Sequence, residues 1–127
     1  MVKWRDERGQ SLVEFALVLP ILALFLLGTI DVGRILWAHN TIAAAARDAA
    51  RYASVGDANS DLQQVITSET SALQGGVSWS VNPADTRTSG DTVQVSISYP
   101  VSLLDPLMAA FLGSHFTVAS TVTMRVE

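Results

Sequence analysis

The sequence predicts an α+β protein in which one long N-terminal helix packs, by its C-terminal half, on a small antiparallel three-stranded sheet accompanied by one or two short helices. Three observations lead there. They are an apolar run near the N-terminus, an amphipathic continuation of that run at helical spacing, and three later stretches in which apolar and polar residues alternate. At 127 residues with 49% hydrophobic positions, the chain has material for one modest domain plus one apolar segment, and hardly for two independent cores.

The apolar run comes first. Residues 15–30 carry no charge, and counted back to Leu12 the run reaches nineteen residues with Glu14 as its only ionisable member. As a helix rising about 1.5 Å per residue it spans roughly 28 Å, close to the hydrocarbon thickness of a bilayer. Leu17, Val18, Leu19, Ile21, Leu22, Leu24, Phe25, Leu26 and Leu27 leave no polar face, which excludes an amphipathic surface helix. A fully buried core helix is the alternative, but the remaining roughly 95 residues could not easily wrap it on all sides. Lys3, Arg5 and Arg8 precede the run and Arg34 is the nearest basic residue after it, which predicts the N-terminus on the cytoplasmic side; Arg47 moderates the bias. A cleaved secretory signal fits less well, because "GTIDVGRILW" follows the run and the nearest Ala-rich stretch begins only at Ala43. Pro20 inside the run lacks a backbone donor and leaves the Ala16 carbonyl without its helical partner, so a kink or local unwinding is expected there.

Beyond the run, Ile35, Ala38, Ile42, Ala45, Ala49 and Tyr52 or Ala53 recur at helical spacing, with Asn40, Arg47, Asp48, Arg51 and Ser54 mostly on the other side. The Ala run at 43–46, with Ala49 and Ala50, makes a smooth strip that a sheet or helix can approach closely. The turn formers of "GDANSD" end this helix near residue 55. Asp57, Asn59 and Asp61 in that turn have the spacing that opens a calcium loop, but Leu62 stands at the required glycine position and Ser68 at that of the bidentate glutamate. Ser60 with Gln63 reads instead as a capping box for a short helix with Leu62, Val65, Ile66 and Leu73 on its buried side, ended by Gly75 and Gly76. Alternation then marks three strands: Val77, Trp79 and Val81; Val93, Val95, Ile97 and Tyr99; and Phe116, Val118, Val122, Met124 and Val126. "NPADTRTSGD" joins the first two. Between the second and third, Asp105 and Pro106 suit a helix start. The stripe Leu103, Leu104, Leu107, Met108, Phe111 and Leu112 then runs to Gly113, as core or as an exposed docking patch.

Glu14 raises two readings: a side chain snorkelling from near the end of a membrane helix, where the cost is below the roughly 2.5–3.5 kcal/mol of the centre, or a carboxylate that awaits a partner. Its surroundings are specific. A basic leader, Gly9, a small polar start, Glu14 at the fifth position after that glycine, and an apolar helix follow one another, and "EFALVLPILALFLLGTIDVGRILWAHNTIAAAARDAARYASVGD" continues the pattern over residues 14–57. This stretch resembles the class III prepilins, among them the TadE-like (TadE/TadG) pseudopilins of the tight-adherence, or Flp-type, pilus system; the "ARDAARYA" portion at 46–53 and the closing "FTVASTVTMRVE" share the family's character. Gln10 in place of an aromatic first mature residue and the lack of a C-terminal cysteine pair set the chain apart from classical major pilins.

The resemblance implies a pilin-like fold with a cytoplasmic leader over 1–9, a transmembrane and assembly half over 10–30, and an extracytoplasmic α+β domain over 31–127, its helix reaching about 55 and its sheet spanning 77–127. It implies cleavage by a prepilin peptidase between Gly9 and Gln10. The expected role is that of a minor pilin or pseudopilin in a tight-adherence pilus, with a structural part in an adhesion or secretion apparatus. Other pilins and the assembly platform are the expected partners, and the place is a single pass of the inner membrane with the N-terminus inside, with incorporation into an extracellular pilus as a further expectation. Cleavage would expose an α-amine on Gln10, of unperturbed pKa about 7.7–8.0, for which Glu14 of the same or a neighbouring subunit is the counter-ion. An uncleaved single-pass anchor with a small extracytoplasmic binding domain is the competing reading.

Other chemistry finds little support. The net charge is −4 and the eight Lys and Arg are scattered, which argues against nucleic acid as a partner. There is no cysteine, which excludes disulfides and thiolate chemistry. His39 and His115 lie in no catalytic or metal-ligand motif and read as surface residues, so neither an enzyme nor a cofactor is expected.

Overall fold

The apolar run and its amphipathic continuation form one 52-residue helix, α1 (Lys3–Ser54), in a computed structural model that describes residues 3–127, with side chains from residue 8. The side chains of Lys3 and Arg5, on which the orientation argument partly rests, lie outside the described residues. Leu12, Phe15, Leu17, Ile21 and Phe25 are all 64% exposed or more, so the N-terminal half of α1 touches almost nothing in the molecule. α1, over Arg8–Ser54, is the one described helix long and apolar enough to cross a membrane. Pro20, where a kink or local unwinding is expected, lies within α1, and the helix continues on both sides of it. The seventeen residues that follow Pro20 to Trp37 are helical without interruption, and a single missing donor does not outweigh that hydrogen-bonded run.

From Ala38 onward one face of α1 disappears from solvent. Ala38, Ile42, Ala45, Ala46, Ala49, Ala50 and Ala53 are buried, whereas Tyr52 is exposed, so the stripe ends on Ala53. Methyl-sized side chains let the sheet come close enough for Val93, Val95, Ile97 and Val101 of β2 (Thr92–Ser102) and Val118 of β3 (His115–Arg125) to complete the core. Ser54, placed by spacing on the solvent side, is buried instead: its carbonyl accepts from Glu127 N–H at 3.0 Å, which seals the C-terminus against the end of α1. Ala49→Leu is expected to overpack this strip and destabilise the protein by about 1–3 kcal/mol, while Arg47→Leu on the open face stays within about 0.5 kcal/mol. Denaturant unfolding of the detergent-solubilised chain measures both.

The sheet is antiparallel with β1 (Ser78–Asn82), β2 and β3 in sequence order. Trp79 faces Ile97, and Val95 lies between Val81 and Val122, so the apolar alternation of all three strands meets on one face, as period-2 patterning requires. β2 is longer than its alternation suggests and runs through Pro100. That proline is tolerated because β1 pairs only as far as Ser98, so position 100 has a neighbour on one side alone.

α2 (Asn59–Glu69) covers the other end of the core with Leu62 and Ile66. The expected Ser60–Gln63 capping box does not form. The helix starts two residues earlier, after Ala58, without a side-chain cap, because Asn59 is engaged elsewhere: its amide donates to the Ala84 carbonyl at 2.6 Å and accepts from Arg87. Arg87 also donates to the Asp57 carbonyl at 2.6 Å, so the turn that resembles an opening calcium loop holds the β1–β2 connection. α2 ends at Glu69, well before the glycine pair, and Leu73 is buried from the turn that follows.

α3 (Pro106–Leu112) has the expected ends, with Asp105 accepting from Leu107 N–H at 2.8 Å, Pro106 in the first turn and Gly113 at φ 85°. None of its residues is buried, so its apolar stripe is a surface and not part of the core.

Candidate functional site

Two places along α1 carry the functional reading. The first lies near its N-terminal end, where Gly9 is about two turns in. Gly9 and Gln10 are exposed and helical, and a Cβ on Gly9 would meet nothing within 4 Å. Gln10 Nε2 donates to Glu14 Oε1 at 3.2 Å, one turn on. Gln10 and Glu14 therefore share one face, at the spacing that lets a charge on either approach the other. Every other side chain on α1 from Phe15 to Ile30 is uncharged, so an assembled or lipid environment around this helix would leave Glu14 with no cation from its own span.

The second place is where the apolar run ends. Asp31 is completely buried, the only carboxylate on α1 that is so among the described residues. Its Oδ2 accepts from Leu104 N–H and Asp105 N–H, both at 2.8 Å, and its Oδ1 from Leu104 N–H at 3.0 Å and Arg34 Nη1 at 3.3 Å. Arg34 reaches on to the Ser102 carbonyl at 2.8 Å. The segment between β2 and α3 is thus hung from α1 by its own backbone donors, and Leu103 N–H closes the other side on the Ser114 carbonyl at 3.1 Å. Burial alone pushes the Asp31 carboxyl up. The N–H groups of Asp105 and Leu104, with Arg34 beside them, outweigh this and hold its pKa below the ordinary aspartate value. A carboxylate lowered on folding contributes stability above its unfolded pKa of about 3.9 and loses it as pH falls through the lower folded value, so this clasp weakens only in acid.

Residues 9–51 match the family model described as TadE-like protein. This stretch is similar to the TadE-like family. No curated protein and no solved structure matches the chain. The matched stretch begins at Gly9 and includes Glu14, Asp31, Arg34 and most of the alanine strip, so both places on α1 fall within it. The three strands and α3 lie beyond it.

Asp31 lies outside the helical spacing that starts at Ile35, although the sequence carries a signal for it. Stepping back from Ala38 by seven residues, two helical turns, along the buried stripe Ala38, Ile42, Ala45 and Ala49 lands on Asp31. A carboxylate on an otherwise apolar stripe calls for a partner. His39 and His115 are both exposed, with His115 Nδ1 2.9 Å from Ser114 Oγ. No group of three or more His, Cys, Asp or Glu among the described residues is placed to hold a metal ion.

Proposed function

We propose that the chain is a minor pilin or pseudopilin of a tight-adherence pilus, a structural and not a catalytic component, cleaved by a prepilin peptidase between Gly9 and Gln10. The TadE-like match over the segment that starts at Gly9 is the observation that carries this reading. The exposed apolar half of α1 supports it physically: a surface of this size suits lipid before assembly and the apolar interior of a helical bundle afterwards. In this account the protein waits in the inner membrane with its N-terminus inside, residues 10–30 in the bilayer and residues 31–127 outside. Removal of the leader creates an α-amine on Gln10, on the first turn that Glu14 occupies. When subunits pack by their apolar halves, Glu14 and that amine, within one subunit or between two, form the charge pair that fixes axial register.

Partners follow from the same steps: the peptidase, the other pilins and the assembly platform. Deletion of the gene with imaging of surface pili is the direct test of the role. Loss or marked depletion of fibres, restored by the wild-type chain, is expected; fibres in normal number and length would contradict a part in their assembly.

A further inference from the structure

α3 reads "PLMAAFL". It carries no charge, and no residue of it is buried. Phe111 is 88% exposed, and Leu104, Leu107 and Leu112 are each about half exposed. A single exposed leucine is ordinary; a whole short helix of this composition left open to water is not.

Its location identifies the partner. The start of α3 rests on Gly28, where a Cβ would come within 3.0 Å of Asp105 Oδ2 and 3.8 Å of Met108 Sδ. Leu107 and Met108 form a nearly wholly apolar groove with Ile21, Phe25 and Val32 of α1. α3 therefore lies alongside the last turns of the apolar run, before Asp31, and its open face continues the exposed apolar surface of that run. Arg34 and the half-exposed Trp37 stand about one and two turns beyond Ile30, where a cation and an indole meet lipid headgroups.

We infer that α3 is a second membrane contact, seated at the boundary of acyl chains and headgroups in the outer leaflet, with Leu104, Leu107, Phe111 and Leu112 facing lipid. The inference rests on the reading of α1 as a membrane span. Given that span, lipid surrounds α1 at the height of Gly28 in every unassembled subunit, and the open face of α3 has no polar group with which to select a protein partner. A span alone leaves an outer domain free to tilt. A span plus α3, joined by the Asp31 clasp, gives the domain a fixed height and orientation on the membrane.

The absence of cysteine makes the test direct. Full-length Phe111→Cys, Leu22→Cys and Asp57→Cys chains are labelled with a nitroxide and reconstituted into phosphatidylethanolamine/phosphatidylglycerol vesicles. Accessibility to oxygen is then compared with accessibility to a water-soluble nickel chelate. Because the side chains of Phe111 and Leu22 are open, labelling leaves the fold intact. The expected result is an oxygen-to-nickel ratio several-fold higher at 111 than at 57, approaching that at 22. If 111 matches 57 while 22 reads as lipid, α3 is in water and the inference fails while the span stands. If 22 also reads as water, the span itself fails. Shielding of 111 from both reagents, with spin–spin broadening that grows with protein density, would assign the face to a second copy and overturn the lipid contact.

Discussion

Asp31→Ala is expected to destabilise the α+β domain by about 3–5 kcal/mol, a large share of the 5–15 kcal/mol that holds a typical domain together. The size follows from what the carboxylate leaves behind. Asp105 would keep a buried N–H with no acceptor, at about 1–3 kcal/mol, and Leu104 a part-buried one that costs less because water can reach it. Arg34 adds less. Its side chain is 38% exposed and keeps the Ser102 carbonyl, so its attraction to Asp31 is screened by water and only partly lost. Asp31→Asn should fall between the two, since one oxygen still accepts while the new amide meets donors. Hydrogen exchange should report the loss locally, with protection at residues 104–107 falling first and that of Val93, Val95 and Ile97 in the central strand surviving longer. Wild-type stability in Asp31→Ala would mean that the β2–α3 segment is held by something other than this clasp.

Glu14→Ala is expected to leave the isolated subunit unaltered and to reduce its incorporation into fibres by about tenfold or more. Glu14 is exposed and its side-chain hydrogen bond among the described residues is the 3.2 Å one from Gln10, so its removal should not be felt in unfolding experiments. The effect belongs to the assembled state, where an α-amine without its counter-ion stays desolvated among apolar helices; each ~1.4 kcal/mol of that cost is a factor of ten in the equilibrium. Glu14→Gln separates charge from shape, because it keeps a hydrogen-bonding side chain of the same length. Quantitative immunoblotting of sheared fibres against the membrane pool measures the effect. Wild-type incorporation of both variants would remove the pairing role and leave Glu14 as a snorkelling side chain.

Most of the fold was legible in the sequence because it rests on periodicity. The uncharged run, the alanine stripe and the alternation of Val93, Val95 and Ile97 each follow from a repeat of 3.6 or 2, and the structure has the long helix and the three strands they imply. The helix stop at "GDANSD" and the Asp105–Pro106 start were legible for the same reason: local chemistry alone sets them. What escaped depends on contacts between distant positions. Asp31 and the backbone of Leu104 are separated by 73 residues, Asn59 and Ala84 by 25, and no local pattern announces such pairs. The apolar stripe of α3 looks like core because a one-dimensional pattern does not distinguish a face turned to protein from one turned outward. At the start of α1, the residues were readable but their role was not a matter of folding: Gln10 and Glu14 are open to solvent, and their proposed meaning lies in a cleavage and an assembly outside the single chain.

That cleavage is the central claim, and the intact mass and N-terminal sequence of the protein purified from membranes and fibres of piliated cells test it most directly. The account predicts a chain beginning at Gln10, with residues 1–9 missing from all fibre-associated material. A chain that begins at Met1 in functional fibres would contradict it and would favour an uncleaved single-pass anchor.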